Sequence, residues 1–191
     1  LFSAPKYEGG SCDLCEHIFS DGSKYIGSWK NNSRDGIGEM YYQNGGIHSG
    51  SWKNGRKHGQ GNYKTSGKFK GDEYNGLFEE GLMKNGRYTW ADGNYYTGTW
   101  MNGAPYVGIH FEDGIKHVGE FINVNAYKGM GPWDNRLWSG TRYYPDGRND
   151  VLKDGKIIID GKQSNLDNED QNKSLYANKK DEQLLIFNLV K

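Results

Sequence analysis

A chain of 191 residues is long enough for one ordinary domain or one short repeat array, since single domains run to about 100 to 200 residues. Its 24 Lys plus Arg balance 24 Asp plus Glu, which excludes a global field drawing it to nucleic acid or an anionic membrane and leaves only local patches. Hydrophobic residues make up 34%, aromatics 14%, and 29 residues are Gly, so a core must be built from Tyr, Trp and Phe on glycine-rich backbone, which is unusual for a compact enzyme domain.

No stretch approaches the roughly 18 apolar residues of a membrane-spanning helix. The N-terminal 1–22 reads as a shortened, degenerate unit running from Tyr7-Glu-Gly9 to the turn signal Asp21-Gly22. Cys12 and Cys15 are the only cysteines, and a disulfide-stapled secreted fold uses more, so a reducing, cytoplasmic compartment is expected. With His17 the pair invites a zinc reading, but a structural zinc site needs four ligands, so neither metal nor cofactor is expected.

From residue 23 to 122 the chain repeats itself. Tyr25-Ile-Gly27-Ser-Trp29 recurs as His48-Ser-Gly50-Ser-Trp52, Tyr74-Asn-Gly76-Leu-Phe78, Tyr96-Thr-Gly98-Thr-Trp100 and His117-Val-Gly119-Glu-Phe121. The anchoring aromatics are spaced by 23, 26, 22 and 21 residues. Aromatic, Gly and aromatic at i, i+2 and i+4 project from one face of a strand. Each strand meets a tight-turn signal at Asn31-Asn32, Asn54-Gly55, Glu80-Gly81 or Asn102-Gly103, of the kind that favours φ > 0 hairpin turns. Four residues later a second strand opens with Gly36-Ile-Gly38 or Gly59-Gln-Gly61, and it closes at Asn44-Gly45, Asp92-Gly93, Asp113-Gly114 or Asp146-Gly147. Each unit is one hairpin, and a strand Gly lets a neighbouring ring lie on bare backbone. Single hairpins are marginal, so consecutive ones pair edge to edge.

The pattern Tyr-x-Gly-x-Trp-x-x-Gly-x-x-x-Gly-x-Gly resembles the MORN (membrane occupation and recognition nexus) repeat, and the unit at 48–61, HSGSWKNGRKHGQG, matches it everywhere but at its first position. The expected fold is all-β, an elongated single-layer antiparallel sheet of about five consecutive hairpins. Asn85 and Val107 stand where the pattern has Gly, so pairing there is expected to be irregular. Residues 123–161, with Gly131-Pro132-Trp133 and Gly140 to Gly147, read as irregular terminal hairpins. Residues 162–191 form a polar linker ending in the apolar Leu184, Leu185, Ile186, Phe187, Leu189 and Val190, which should dock on this chain or another.

Catalytic chemistry lacks its parts. The five histidines, His17, His48, His58, His110 and His117, are scattered, the Gly-x-Gly pairs lead to no phosphate loop, and no nucleophile or metallohydrolase motif occurs. Two surfaces remain. The row Tyr25, Trp29, Trp52, Tyr74, Phe78, Tyr96, Trp100 and Phe121 would line a shallow face able to grip an extended or helical segment of a partner. The acid-free run Lys53, Arg56, Lys57, Lys64, Lys68 and Lys70 is either a solvated edge or an anionic-lipid patch. The resemblance implies a non-enzymatic scaffold whose partners are proteins of a cytoskeletal or axonemal complex, such as a ciliary radial spoke. Alternatives are a phospholipid tether, a homodimer and a regulatory fragment of a larger enzyme.

Overall fold

In the computed structural model the residues described are 5–123, 135–159 and 162–163. They are β-strands joined by turns, with one 3-10 turn at Gly67–Phe69. The chain divides into two compact units, Leu1–Gly93 and Asn94–Lys191. The first contains β1 (Cys12–Ile18), β2 (Lys24–Lys30), β3 (Ser33–Tyr41), β4 (Ile47–Lys53), β5 (Arg56–Lys64), β6 (Glu73–Glu79) and β7 (Leu82–Thr89). The second contains β8 (Tyr95–Met101), β9 (Ala104–Glu112), β10 (Ile115–Asn123), β11 (Asn135–Tyr143), β12 (Asn149–Lys153), β13 (Lys156–Ile159) and β14 (Lys162–Gln163). Within each unit every strand pairs antiparallel with the next.

Turn chemistry sets this meander. Asn31 and Asn32 (φ 48° and 63°), Asn54 and Gly55 (49° and 80°), Glu80 and Gly81 (50° and 88°) and Asn102 and Gly103 (51° and 79°) all take the left-handed backbone of two-residue hairpin turns, whose twist suits the flanking strands. The following strand opens directly after the turn, at Ser33 or Arg56, rather than four residues on. Asp113-Gly114 forms this same two-residue turn, as does Asp154-Gly155 (51° and 74°), which joins β12 to β13. The longer turns use a side chain as well: the backbone N–H of Ser23 donates to Asp21 Oδ1 at 2.9 Å, that of Gly46 to Asn44 Oδ1 at 3.0 Å and that of Arg148 to Asp146 Oδ1 at 3.0 Å. The spacing of 26 between Trp52 and Phe78 reflects the 3-10 turn, closed by the N–H of Thr65 donating to the Asp72 carbonyl at 3.0 Å. Asp72 pins that insertion, accepting from the Tyr88 hydroxyl at 2.7 Å and the Ala91 N–H at 2.9 Å.

Glycines meet glycines across the strands. In the first unit the ladder runs Gly27, Gly38, Gly50, Gly61, Gly76, Gly86, and in the second Gly98, Gly108, Gly119, Gly140. The pairing is irregular beside Asn85 and Val107, with a register shift in each hairpin, but the glycine ladder continues past both. The third and fourth hairpins are one residue shorter after the turn, so Gly86 and Gly108 take the ladder position, and what is dropped is the bulge glycine found at Gly36 (φ 102°) and Gly59 (φ 77°).

β11 through β14 continue the hairpins past residue 135, and β14 replaces the start of the expected linker. The expectations for Gly131-Pro132-Trp133 and for the apolar Leu184 to Val190 fall outside the described residues. Cys12 and Cys15 are joined by a disulfide, a bond not expected from the reading of a reducing compartment. It spans a bulge in β1, where Cys12 pairs Trp29 and Cys15 pairs Gly27.

Candidate interaction surface

Strand alternation puts Tyr25, Gly27 and Trp29 of β2 on one face, and the burial pattern of the strand follows the same alternation. This inner face carries the aromatic row. The rings pack edge to face: Tyr25 lies 5.2 Å from Trp29 and 5.4 Å from Trp52, His48 lies 5.1 Å from Trp52 and 4.9 Å from Phe78, and Tyr74 lies 4.9 Å from Phe78. In the second unit Tyr96 sits 5.2 Å from Trp100 and 5.6 Å from Phe121. These separations and angles suit the ring quadrupole. Each tyrosine hydroxyl also closes its own strand end, donating to the carbonyl of Ser28 at 3.2 Å, Leu77 at 2.9 Å and Thr99 at 2.8 Å for Tyr25, Tyr74 and Tyr96. Burial raises the phenol pKa values, those of Tyr25 and Tyr74 to about 12.

All eight members of the row, Tyr25, Trp29, Trp52, Tyr74, Phe78, Tyr96, Trp100 and Phe121, are 0 to 7% exposed. The expectation that they line a face for gripping a partner needs correction on this point, because a ring with so little accessible surface offers almost no contact area. They are the core of the sheet. At the first end Tyr7 stacks on Trp29 at 4.0 Å and 12°, with His17 5.6 Å from the same indole.

Two cations complete the inner face. Arg34 lies across from Trp29 in β3, holds its guanidinium 4.5 Å over the Trp52 ring and 5.6 Å from Phe19, and donates to the Gly55 carbonyl at 2.7 Å. Lys57 occupies the same position one hairpin later, with its ammonium 4.5 Å over Tyr63 and 5.1 Å over Phe78. Burial lowers both pKa values. Attraction to the ring faces offsets part of that desolvation. Sequence reading missed Arg34, although its signal was available: a cation stands five residues after both Trp29 and Trp52.

The basic run does not assemble as one patch. Lys57 is on the inner face over rings, Arg56 pairs with Glu80 at 2.8 Å, and Lys64 lies next to Glu73 across β5 and β6. Lys53 and Lys70 are exposed. The side chain of Lys68 lies outside the described residues. Lys53 instead joins Lys30, His58, Ser33 and Ser51 around an open groove of about 620 Å³ at the tips of the first two hairpins, beside the turns Asn31-Asn32 and Asn54-Gly55.

The outer face of the first unit carries exposed aliphatic side chains. Ile37 is 66% exposed, Leu14 57% and Leu77 42%. Ile37 and Leu77 flank the glycine ladder on the same side, with Ser51 and Gln60 between them, since Ile37 pairs Ser51 and Leu77 pairs Gln60 while Gly38 pairs Gly50 and Gly61 pairs Gly76. Leu14 lies in the bulged stretch of β1.

The family model for the MORN repeat matches residues 25–47, 48–68 and 74–95. No curated protein matches the chain. Among solved structures, one described as the SAS-4 (dCPAP) TCP domain in complex with a proline-rich motif of Ana2 (dSTIL) of Drosophila melanogaster is 17% identical, covering 86% of this chain and 96% of that one with a TM-score of 0.37. A superposition that loose supports no functional inference.

Proposed function

The chain carries three consecutive MORN repeats over residues 25–95, and from that premise we propose that it is a non-enzymatic interaction scaffold working in a cytoskeletal assembly, of the kind represented by a ciliary radial spoke. The coarser half of this reading follows from the repeat, which belongs to protein-binding and lipid-binding scaffolds. The supporting observation is the outer face of the first unit, where Leu14, Ile37 and Leu77 stand in water. Exposed aliphatic side chains set among Ser51 and Gln60 offer separate anchor points to a partner, and the paired sheet behind them costs little ordering on binding. The inner rings preorganise that face rather than touch the partner.

The test is detergent extraction of ciliated cells expressing the tagged chain. Retention in the axonemal pellet, lost in the double substitution Ile37→Glu, Leu77→Glu, supports the assignment. A chain released entirely into the soluble fraction, or one retained equally after the substitutions, overturns it. A second reading, an anionic-lipid tether, draws support from the groove bordered by Lys30, Lys53 and His58. Flotation with phosphoinositide vesicles decides it: salt-sensitive binding lost in Lys30→Glu, Lys53→Glu favours the tether, and absence of flotation ends it.

A further inference from the structure

The inner face of the second unit departs from the rule the first unit keeps. Across the first unit the row beside the glycine ladder reads Tyr25, Met40, His48, Tyr63, Tyr74, Tyr88, each paired with the next. Across the second it reads Tyr96, His110, His117, Arg142, Asp150, again each paired with the next. Two histidines, an arginine and an aspartate therefore occupy, in four successive strands, positions that in the first unit hold four tyrosines, one methionine and one histidine. Polar groups at core positions cost stability. Local rules are broken in this way where function requires it.

The geometry of these groups is specific. The rings of His110 and His117 lie 5.8 Å apart and are tilted by 38°. Arg142 donates through Nη1 to the Tyr144 hydroxyl at 3.3 Å, and that hydroxyl donates to Asp150 Oδ2 at 2.7 Å. The carboxylate is thus engaged by the phenol, and the Nε of Arg142 is buried with no hydrogen-bond partner among the described residues. Burial, then Arg142, then His110 hold the His117 pKa down to about 4, while burial lowers that of His110 against a weaker upward pull from Glu112.

We propose that Arg142, His117 and His110 form a binding site for an oxyanion, a carboxylate or phosphate group. With Nη1 committed to Tyr144, the guanidinium keeps its Nε and Nη2 edge, the fork that receives two oxygens of one anion. The His117 imidazole adds an N–H donor when neutral and a second when charged, and His110 stands beside it at 5.8 Å. A cation is the wrong guest, because the guanidinium charge is permanent. Burial is the main cause that keeps both imidazoles neutral, and at His117 the Arg142 charge adds to it. An anion set against that charge lets His117 take up a proton, so binding tightens as pH falls. The groups around the pair are Tyr96 on β8, Glu112 on β9, Arg142 on β11, Tyr144 after it and Asp150 on β12. Asp150 and Glu112 oppose the anion, and Tyr144 holds Asp150 in its own hydrogen bond. This site is independent of the scaffold reading.

The experiment follows the histidine ring resonances of the full chain by NMR during titration with inorganic phosphate and, in a separate arm, with acetate. The expected result is a saturable shift of His110 and His117 with a Kd on the order of 1 mM, and a rise of the His117 pKa by about one pH unit at saturating phosphate. Response to phosphate alone points to a phosphorylated guest, and response to both arms to a carboxylate as well. His117→Tyr restores the residue used at Tyr25, Tyr74 and Tyr96, so it keeps the fold, and it should weaken binding about tenfold. Arg142→Gln, checked for folding by circular dichroism, should abolish it. No saturable shift in either arm, or unchanged binding in both folded variants, overturns the site.

Discussion

The hydroxyl of Tyr74 reaches over Gly86 on the neighbouring strand, standing 2.8 Å from the point where a Cβ of that glycine would be. No side chain fits beneath it. Gly86→Ala should therefore lower stability by about 2 to 3 kcal/mol through overpacking alone. Gly55 provides the contrast: nothing lies within 4 Å of its would-be Cβ, but its φ is +80°, so Gly55→Ala should cost only the backbone strain of about 1 kcal/mol. Urea titration of the two variants measures the difference, and equal losses contradict ring-on-glycine packing.

Trp52 is 4% exposed, and its indole N–H donates to the Gly38 carbonyl at 3.2 Å. Trp52→Ala should cost about 3 to 5 kcal/mol, as large-to-small aromatic deletions in packed sites do. Ile37→Ser, on the open face, should change stability by less than about 0.5 kcal/mol. Thermal unfolding of the pair shows which face is the core. A tryptophan variant as stable as the parent would place the indole outside it.

His48 occupies a tyrosine slot at 0% exposure, and burial first, then the Lys57 charge, lowers its pKa to about 4. The sign follows from linkage: a histidine depressed in the folded state is protonated first in the unfolded chain, so its contribution is complete above about pH 6.5 and is lost as pH falls toward 4. His117 adds to the same window. Stability should be flat near neutrality and decline by roughly 2 to 3 kcal/mol at the buried His48 by pH 4, with a smaller share from the half-buried His117. His48→Tyr should flatten part of the decline, and an unchanged pH profile in that variant would count against the assignment.

Arg34 bonds the Gly55 carbonyl at 2.7 Å while covering the Trp52 ring. Arg34→Met should cost about 1 to 2 kcal/mol, and Arg34→Lys should recover little of it, because a lysine cannot both stack flat and reach the carbonyl. Chemical denaturation with both variants distinguishes this from a simple charge effect, in which the lysine variant would match the parent.

Much of this architecture was legible in the residues. The turn pairs Asn54-Gly55 and Asn102-Gly103 announce left-handed backbone, and the Tyr-x-Gly-x-Trp spacing announces a strand face. Three features were not. The one-residue shortening before Gly86 and Gly108 put Asn85 and Val107 where the pattern has Gly, because a fixed pattern cannot absorb a bulge shortened by one residue. The β12 to β13 hairpin falls within the terminal hairpins expected over 123–161, but its turn, Asp154-Gly155, was not singled out, because Leu152 and Ile157 do the packing that aromatic residues do elsewhere. Alternation shows which residues share a face but not which face is covered, so the ring row looked like a binding surface when it is the core. The same blindness joined Lys53, Lys57 and Lys64 into one patch, although Lys57 points across the rings.

The central claim is that rings rest on paired glycines of adjacent strands, and the most direct test is a nuclear Overhauser spectrum of the glycine α protons. Strong cross-peaks between Gly50 and Gly61, Gly76 and Gly86, and Gly98 and Gly108, with the Gly38 and Gly61 protons shifted upfield by the rings above them, are the predicted result. Absent cross-peaks at these pairs, or glycine shifts at their unstructured values, would contradict it.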